Sequence, residues 1–211
     1  MKAGLVLAAL ACALSTSALT GCATGRPSMP TLATARVASD FDTYRIGRVG
    51  LMPFAGDDLT EEQSAGLEAA FFTEISHSTP FELVKLDPLD LQEVRASDAY
   101  RRGWYAPDTI VATARRYSLD AVLFGTVTQS QFFPPQKLSV SVDMVAAETG
   151  LVIWSSTVHL DATEERVRDG LEAYFSNTRG KVEDDSQDWR TALLSPSRFA
   201  QFAAFQIASL L

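Results

Sequence analysis

Leu138-Ser139-Val140-Ser141-Val142-Asp143-Met144 alternates apolar and polar side chains, and Glu148-Thr149-Gly150 separates it from a second run, Leu151 to about Leu160. Successive side chains of a strand point to opposite faces, so the first run reads as a half-buried strand. Gly150 tolerates the positive φ of a tight reversal. The second run places Val152, Trp154, Val158 and Leu160 on one face. Together they predict an antiparallel hairpin with one buried side.

Upstream, Ala121-Val122-Leu123-Phe124-Gly125-Thr126-Val127-Thr128 starts apolar on both faces and turns alternating, as a strand does on leaving the covered part of a sheet. Phe132-Phe133-Pro134-Pro135 interrupts it before the hairpin. Arg48 to Phe54 is also apolar on both faces, with Val49 and Leu51 on one and Met52 and Phe54 on the other. Thr60 and Gln63 form a capping-box pattern, and Leu67, Phe71 and Ile75 follow as a helical stripe that Pro80 ends. Phe81 to Leu86 reads as a strand, and Asp87 to Tyr105 as irregular. Pro107-Asp108 starts a helix with Ile110, Val111, Ala114 and Tyr117 inward and Arg115-Arg116 at its end. Thr163 caps a helix carrying Val167, Leu171 and Tyr174, and residues 177–188 form a polar, acidic loop. Ser195-Pro196 opens a last helix with Phe199, Phe202, Ala203, Ile207 and Leu210 mostly inward. The expected fold is one α/β domain of three-layer type, a mixed sheet flanked by helices, in the order β-α-β-α-β-β-β-α-α.

The amino terminus has the form of a secretory signal: Lys2, an apolar stretch from about Ala3 to Leu14, then small residues leading to Leu19-Thr20-Gly21-Cys22. The apolar run is shorter than the roughly 20 residues of an ordinary spanning helix. The last four residues resemble the lipobox of bacterial lipoproteins. That resemblance implies cleavage after Gly21 and acylation of Cys22, and Ala23 behind it implies sorting to the outer membrane. The alternative is an ordinary signal cleaved within Ser17 to Gly21 without lipid. On the lipoprotein reading residues 1–21 are lost, 22–43 form a lipidated tether, and 44–211 fold as a core over 44–161 with carboxy-terminal helices over 162–211. Residues 23 to about 41 are rich in Ala, Thr, Ser and Pro. A soft linker of about 20 residues has a root-mean-square reach of roughly 25 Å.

The formal charge is −8 with the leader and −9 without it, since residues 1–21 hold one Lys and no acid. An acidic surface argues against nucleic acid. Cys12 lies in the signal and Cys22 is the anchor, leaving the folded part no disulfide and no cysteine nucleophile. His77, at a helix end, and His159, on a strand, are the two histidines, and neither follows a nucleophile-elbow pattern. Asp57-Asp58 lacks the spacing of a calcium loop and reads as a solvated turn. Glu183-Asp184-Asp185 reads the same way. The glycines Gly47 and Gly50 precede or lie within a strand, so they form no phosphate loop. No catalytic residue, cofactor or metal is expected. Contact candidates are Phe132 and Phe133 at a hairpin tip. Arg101, Arg102, Trp104 and Tyr105 join them, being of residue types enriched at interfaces.

Three segments carry a further resemblance: Val49 to Phe54, Asp120 to Val127, and Val142 to Trp154. They are similar to strands of the curli-secretion lipoprotein family (CsgG-like), with Leu119 where an Ala is usual. The same core, over about Tyr44 to Asp161, resembles the amino-terminal domain of TolB and the LpoB-like activators of penicillin-binding proteins. The resemblance implies a non-enzymatic periplasmic domain that acts through protein contacts. Partners would be the membrane, through lipid on Cys22, an envelope protein, and in some forms other copies of the chain. The expected function is a lipid-anchored adaptor or regulator of envelope assembly or secretion. A ring-forming channel component is the alternative, and it is disfavoured because residues 129–136 are too short for a barrel hairpin. An envelope hydrolase is the remaining class.

Overall fold

In a computed structural model of the protein the described residues are 29–96, 105–178 and 189–211. The strands are β1 (Ala33–Val37), β2 (Arg48–Leu51), β3 (Glu82–Lys85), β4 (Ala121–Gln131), β5 (Lys137–Ala146) and β6 (Val152–Asp161). The helices are α1 (Glu61–Ser78), α2 (Pro88–Arg95), α3 (Pro107–Tyr117), α4 (Glu165–Thr178) and α5 (Pro196–Ala208). Short 3-10 turns occupy Phe41–Thr43 and Trp189–Leu193.

These strands form one mixed sheet in the order β1-β6-β5-β4-β2-β3. β2 is parallel to β3 and β4, while β4, β5, β6 and β1 pair antiparallel. The expected hairpin is β5–β6, and Gly150 turns it with φ 67°. The inward face of β4–β6 packs with Leu67, Phe71 and Ile75 of α1, Val167 and Leu171 of α4, and Phe199, Phe202 and Ile207 of α5. On the other side Met52, Val122, Phe124 and Val145 meet Val94 of α2 and Ile110 and Ala114 of α3. The arrangement is thus helix, sheet, helix.

Local chemistry explains the elements. Thr60 accepts from the Gln63 amide at 3.2 Å while Gln63 Oε1 accepts from the Thr60 amide at 3.0 Å, which closes the start of α1. α3 ends on Ser118 in the left-handed region, φ 55°. α2 and α3 are latched by buried Asp90, which accepts from Tyr117 Oη at 2.7 Å and pairs with Arg116. The bond to Asp90 raises the Tyr117 pKa. Glu93, at 3.1 Å, and then Asp90 raise that of Arg116. Arg116 therefore serves a side-chain latch and not only the helix dipole.

Three sequence expectations change. The fold begins before Tyr44, because β1 lies inside the stretch read as tether and pairs with β6 from Ala33–Val158 to Val37–Trp154. Of β1 only Ala33 is buried, so backbone bonding rather than apolar patterning makes it a strand. Residues 88–95, expected as irregular, form α2, and the order becomes β-β-α-β-α-α-β-β-β-α-α. Val152 does not share the Trp154 face. A register shift beside Met144–Val145 turns it toward the α2–α3 layer. Residues 1–28, among them the expected signal and Cys22, and 179–188, with the acidic run, lie outside the described residues.

Gly125 of β4 is a contact point, since a Cβ there would fall 2.3 Å from the Phe54 ring. The ring also meets Phe71 at 4.6 Å between centroids, which leaves it little room to retreat. Gly125→Ala is therefore expected to cost about 1–3 kcal/mol through overpacking. Urea unfolding at neutral pH measures this, and an unchanged midpoint would show that Phe54 moves freely.

Candidate contact surfaces

Two surfaces stand out, one polar and one apolar. The α2–α3 layer stops over β2–β4. Of β5 and β6 only Val145 and Val152 reach its cluster, and β1 reaches it nowhere. The remaining strand face carries Thr34 and Arg36 of β1, Ser155, Thr157 and His159 of β6, and Ser139, Ser141 and Asp143 of β5 in register. Ser141 and Thr157 share a hydrogen bond of 2.9 Å, and His159 Nδ1 lies 3.0 Å from Ser139 Oγ. Tyr105 closes one corner by donating to Asp143 at 3.0 Å and stacking on Phe124 at 4.2 Å. Such a face satisfies itself internally and still presents hydroxyls and an exposed Arg36 outward.

The apolar surface lies at one end of the sheet. Gln131 opposes Lys137, Lys137 opposes Asp161, and β1 enters beside Val158, so the β4–β5 tip and the segment before Ala33 share that end. Gln136 is wholly buried and donates to the Ala192 carbonyl at 3.2 Å, which ties the tip to the Trp189–Leu193 turn. Phe133 and Leu194 stand 69% and 70% exposed. Phe132 is half-buried against the core. Asp161 accepts from Lys137 at 2.6 Å and from the Thr163 hydroxyl at 2.6 Å and amide at 2.9 Å. These bonds, Lys137 first, hold its pKa down at about 2 from an ordinary 3.8.

The incoming chain is clamped here too. Gln206 of α5 is buried, and its Oε1 accepts from the Leu32 amide at 2.8 Å while its Nε2 donates to the Pro30 carbonyl at 3.1 Å. Sequence reasoning missed this clamp. A glutamine amid Phe202, Ala203 and Ile207 was its only trace.

Of the expected contact residues, the structure exposes Phe133, half-buries Phe132 and buries Tyr105, whose ring serves the fold instead of a partner. Arg101, Arg102 and Trp104 lie outside the described residues. His77 sits in the last turn of α1, far in sequence and element from the His159–Ser139 pair. Asp57 and Asp58 line a 370 Å³ groove with Arg95 and Thr126 to Ser130. A larger groove of 710 Å³ lies at the opposite end, between Tyr44, Arg115 and Glu148. Its Asp120 is occupied, accepting from the Gly47 and Arg48 amides at 2.9 and 2.8 Å. None of the described helices is long and apolar enough to cross a membrane.

The chain is thus an α/β domain built on a mixed six-stranded sheet. Among solved structures it is similar to a PelC dodecamer variant from Paraburkholderia phytofirmans, at 12% identity over 84% of this chain and 96% of that one, TM-score 0.47. It is similar to lipoprotein GNA1162 from Neisseria meningitidis, at 15% identity over 55% and 80%, TM-score 0.40. The LpoB carboxy-terminal domain from Salmonella enterica follows at 17% identity over 57% and 87%, TM-score 0.38. No family model and no curated protein matches the chain. LpoB is one of the groups the sequence motifs resemble, whereas the curli-type likeness rests on those motifs alone.

Two outcomes test this geometry. Gln206→Leu keeps the volume but orphans the Leu32 amide, a loss of about 1–3 kcal/mol. Hydrogen exchange over residues 30–37 is expected to accelerate more than over β5, and uniform acceleration would place the clamp's role in the core. Asp161 is depressed in the folded state, so its contribution is full above its unfolded value near 3.8 and lost as pH falls toward about 2. Wild type is expected to exceed Asp161→Asn in stability at pH 7, with the gap closing across that window in urea titrations.

Proposed function

We propose that the chain is a lipid-anchored envelope protein, held on the periplasmic face of the outer membrane, that works through protein contacts and not by catalysis. The observation that carries this reading is Leu19-Thr20-Gly21-Cys22, which ends seven residues before the first described residue. The polar face of β1, β6 and β5, which the described α2–α3 layer does not cover, supports the second half of it. That face is polar and regular, and a groove of 300 Å³ lies along it between Ser139, His159 and Asp161. Anchoring confines the domain to a thin layer, so partners held in the same membrane meet it at high effective concentration and modest affinity suffices. Stable anchoring takes more than one acyl chain.

The test compares wild type with Cys22→Ser. The wild-type protein is expected in the membrane fraction, beginning at Cys22 and carrying acyl mass. The variant is expected to lose both. An unmodified wild-type chain would overturn the reading. Light scattering of the detergent-extracted protein separates an adaptor, expected as a monomer or dimer, from the ring-forming alternative.

A further inference from the structure

The apolar end of the sheet has a second claim on the membrane. Three parts of the chain far apart in sequence converge there: the segment entering at Met29, the tip Phe132 to Pro135, and the turn Trp189–Leu193 with Leu194 beyond it. Phe133 and Leu194 are among the most exposed large apolar side chains of the described residues. Water contact with such groups is unfavourable unless something covers them. Trp189 is half-buried, with the Arg190 guanidinium 5.0 Å from its ring. Tryptophan and arginine with apolar neighbours are the residue types that settle at a lipid headgroup layer. Glu164, whose amide donates to the Asp161 carbonyl at 2.9 Å, stands at the same end beside Lys137, so the charge is mixed and the attraction apolar in character.

The length of chain outside the described residues says which occupant is in reach. Seven residue steps separate Cys22 from Met29. In any conformation they span at most about 25 Å. β5 alone has 10 residues. That is about 33 Å of strand, so the anchor's reach from this end falls short of the β5–β6 turn. Gln206 keeps the chain from peeling away to lengthen the tether.

We infer that this end rests on the bilayer surface, with Phe133 and Leu194 seated in the headgroup layer and the β5–β6 turn pointing away from it. The inference rests on the lipid anchor proposed above. It adds a contact that orients the domain, which the anchor by itself does not do.

The acylated protein provides its own clean background for labelling, because Cys12 and Cys22 are its only cysteines, one in the leader and one blocked by lipid. Spin labels are placed at Phe133→Cys, Leu194→Cys and, at the opposite end, Leu151→Cys. Each acylated variant is reconstituted in phosphatidylethanolamine–phosphatidylglycerol vesicles. Accessibility to lipid-soluble oxygen relative to an aqueous nickel chelate is expected to be several-fold higher at 133 and 194 than at 151. Equal ratios at all three would overturn the orientation while leaving the anchor intact. Spin–spin broadening at 133 or 194 that persists on dilution in lipid would overturn it too, by giving the patch to a second copy. A mass showing no acyl chain on Cys22 would overturn the anchor and the orientation together. Phe133→Ser with Leu194→Ser, labelled at 151, separates folding from docking: unchanged circular dichroism with free tumbling of the domain is expected, and tumbling like wild type would overturn the proposal.

Discussion

An antiparallel meander of three strands of ten or eleven residues, β4 to β6, presents a wide apolar face that water will not tolerate. Covering it is the constraint on which the remaining structure depends. α5 meets that need with Phe199, Phe202 and Ile207 directed at the sheet, and with Ala200, Ala203, Ala204 and Ala208 permitting close approach. Each large side chain so buried contributes about 1.5–3 kcal/mol. The chain after α5 joins the same lock, because the Leu210 carbonyl accepts from the Trp154 indole at 3.2 Å. α1 packs on α5 and carries the parallel half of the sheet with it.

The opposite face is treated unequally, and that inequality makes surfaces. Over β2 and β4 the apolar residues continue, so α2 and α3 must cover them, and the buried Asp90 carboxylate holds the pair together. A buried acid is a costly latch if a partner is lost. It also fixes one docking angle between two short helices. Over β5, β6 and β1 the outward residues become Ser, Thr, Asp and His, which bond across strands and need no helix. Among the described residues no helix covers the polar half, where Ser139 and Ser141 are buried by their bonded neighbours and Arg36 is exposed.

Much of this was legible in the sequence where periodicity was strong. The alternation of Leu138 to Met144 and the stripe Leu67, Phe71, Ile75 each had a period that one element fits, and the run at Ala121 became legible where it turned alternating. β1 was illegible because Ala33-Thr34-Ala35-Arg36-Val37 buries one side chain and is recruited by backbone bonds from β6. α2 left clearer traces: Asp87 before Pro88 and Asp90 three residues on form a capping box. Eight residues with two buried side chains were too few to show a period. At the candidate surfaces, Phe133 was legible as an exposed tip residue. The link from Gln136 to Ala192 joins positions 56 residues apart, and no local pattern announces it. Tyr105 misled for the converse reason, since an aromatic beside arginines reads alike whether it faces a partner or its own sheet.

The missed strand also changes what the proposed tether can do. A soft linker of about 20 residues would leave the domain free to turn, with a reach near 25 Å as an average and much more at full stretch. Once β1 and the Gln206 clamp absorb residues 30 to 37, about 25 Å is the limit and no longer the average. On the proposed placement the strands then run along the membrane normal, and the polar face of β1, β6 and β5 looks sideways, parallel to the bilayer. A partner anchored in the same membrane meets that face by lateral diffusion. One arriving from the far side meets the groove between Tyr44, Arg115 and Glu148 instead. On that placement a short tether would sort partners by where they are held, through a strand whose side chains contribute almost nothing to the core.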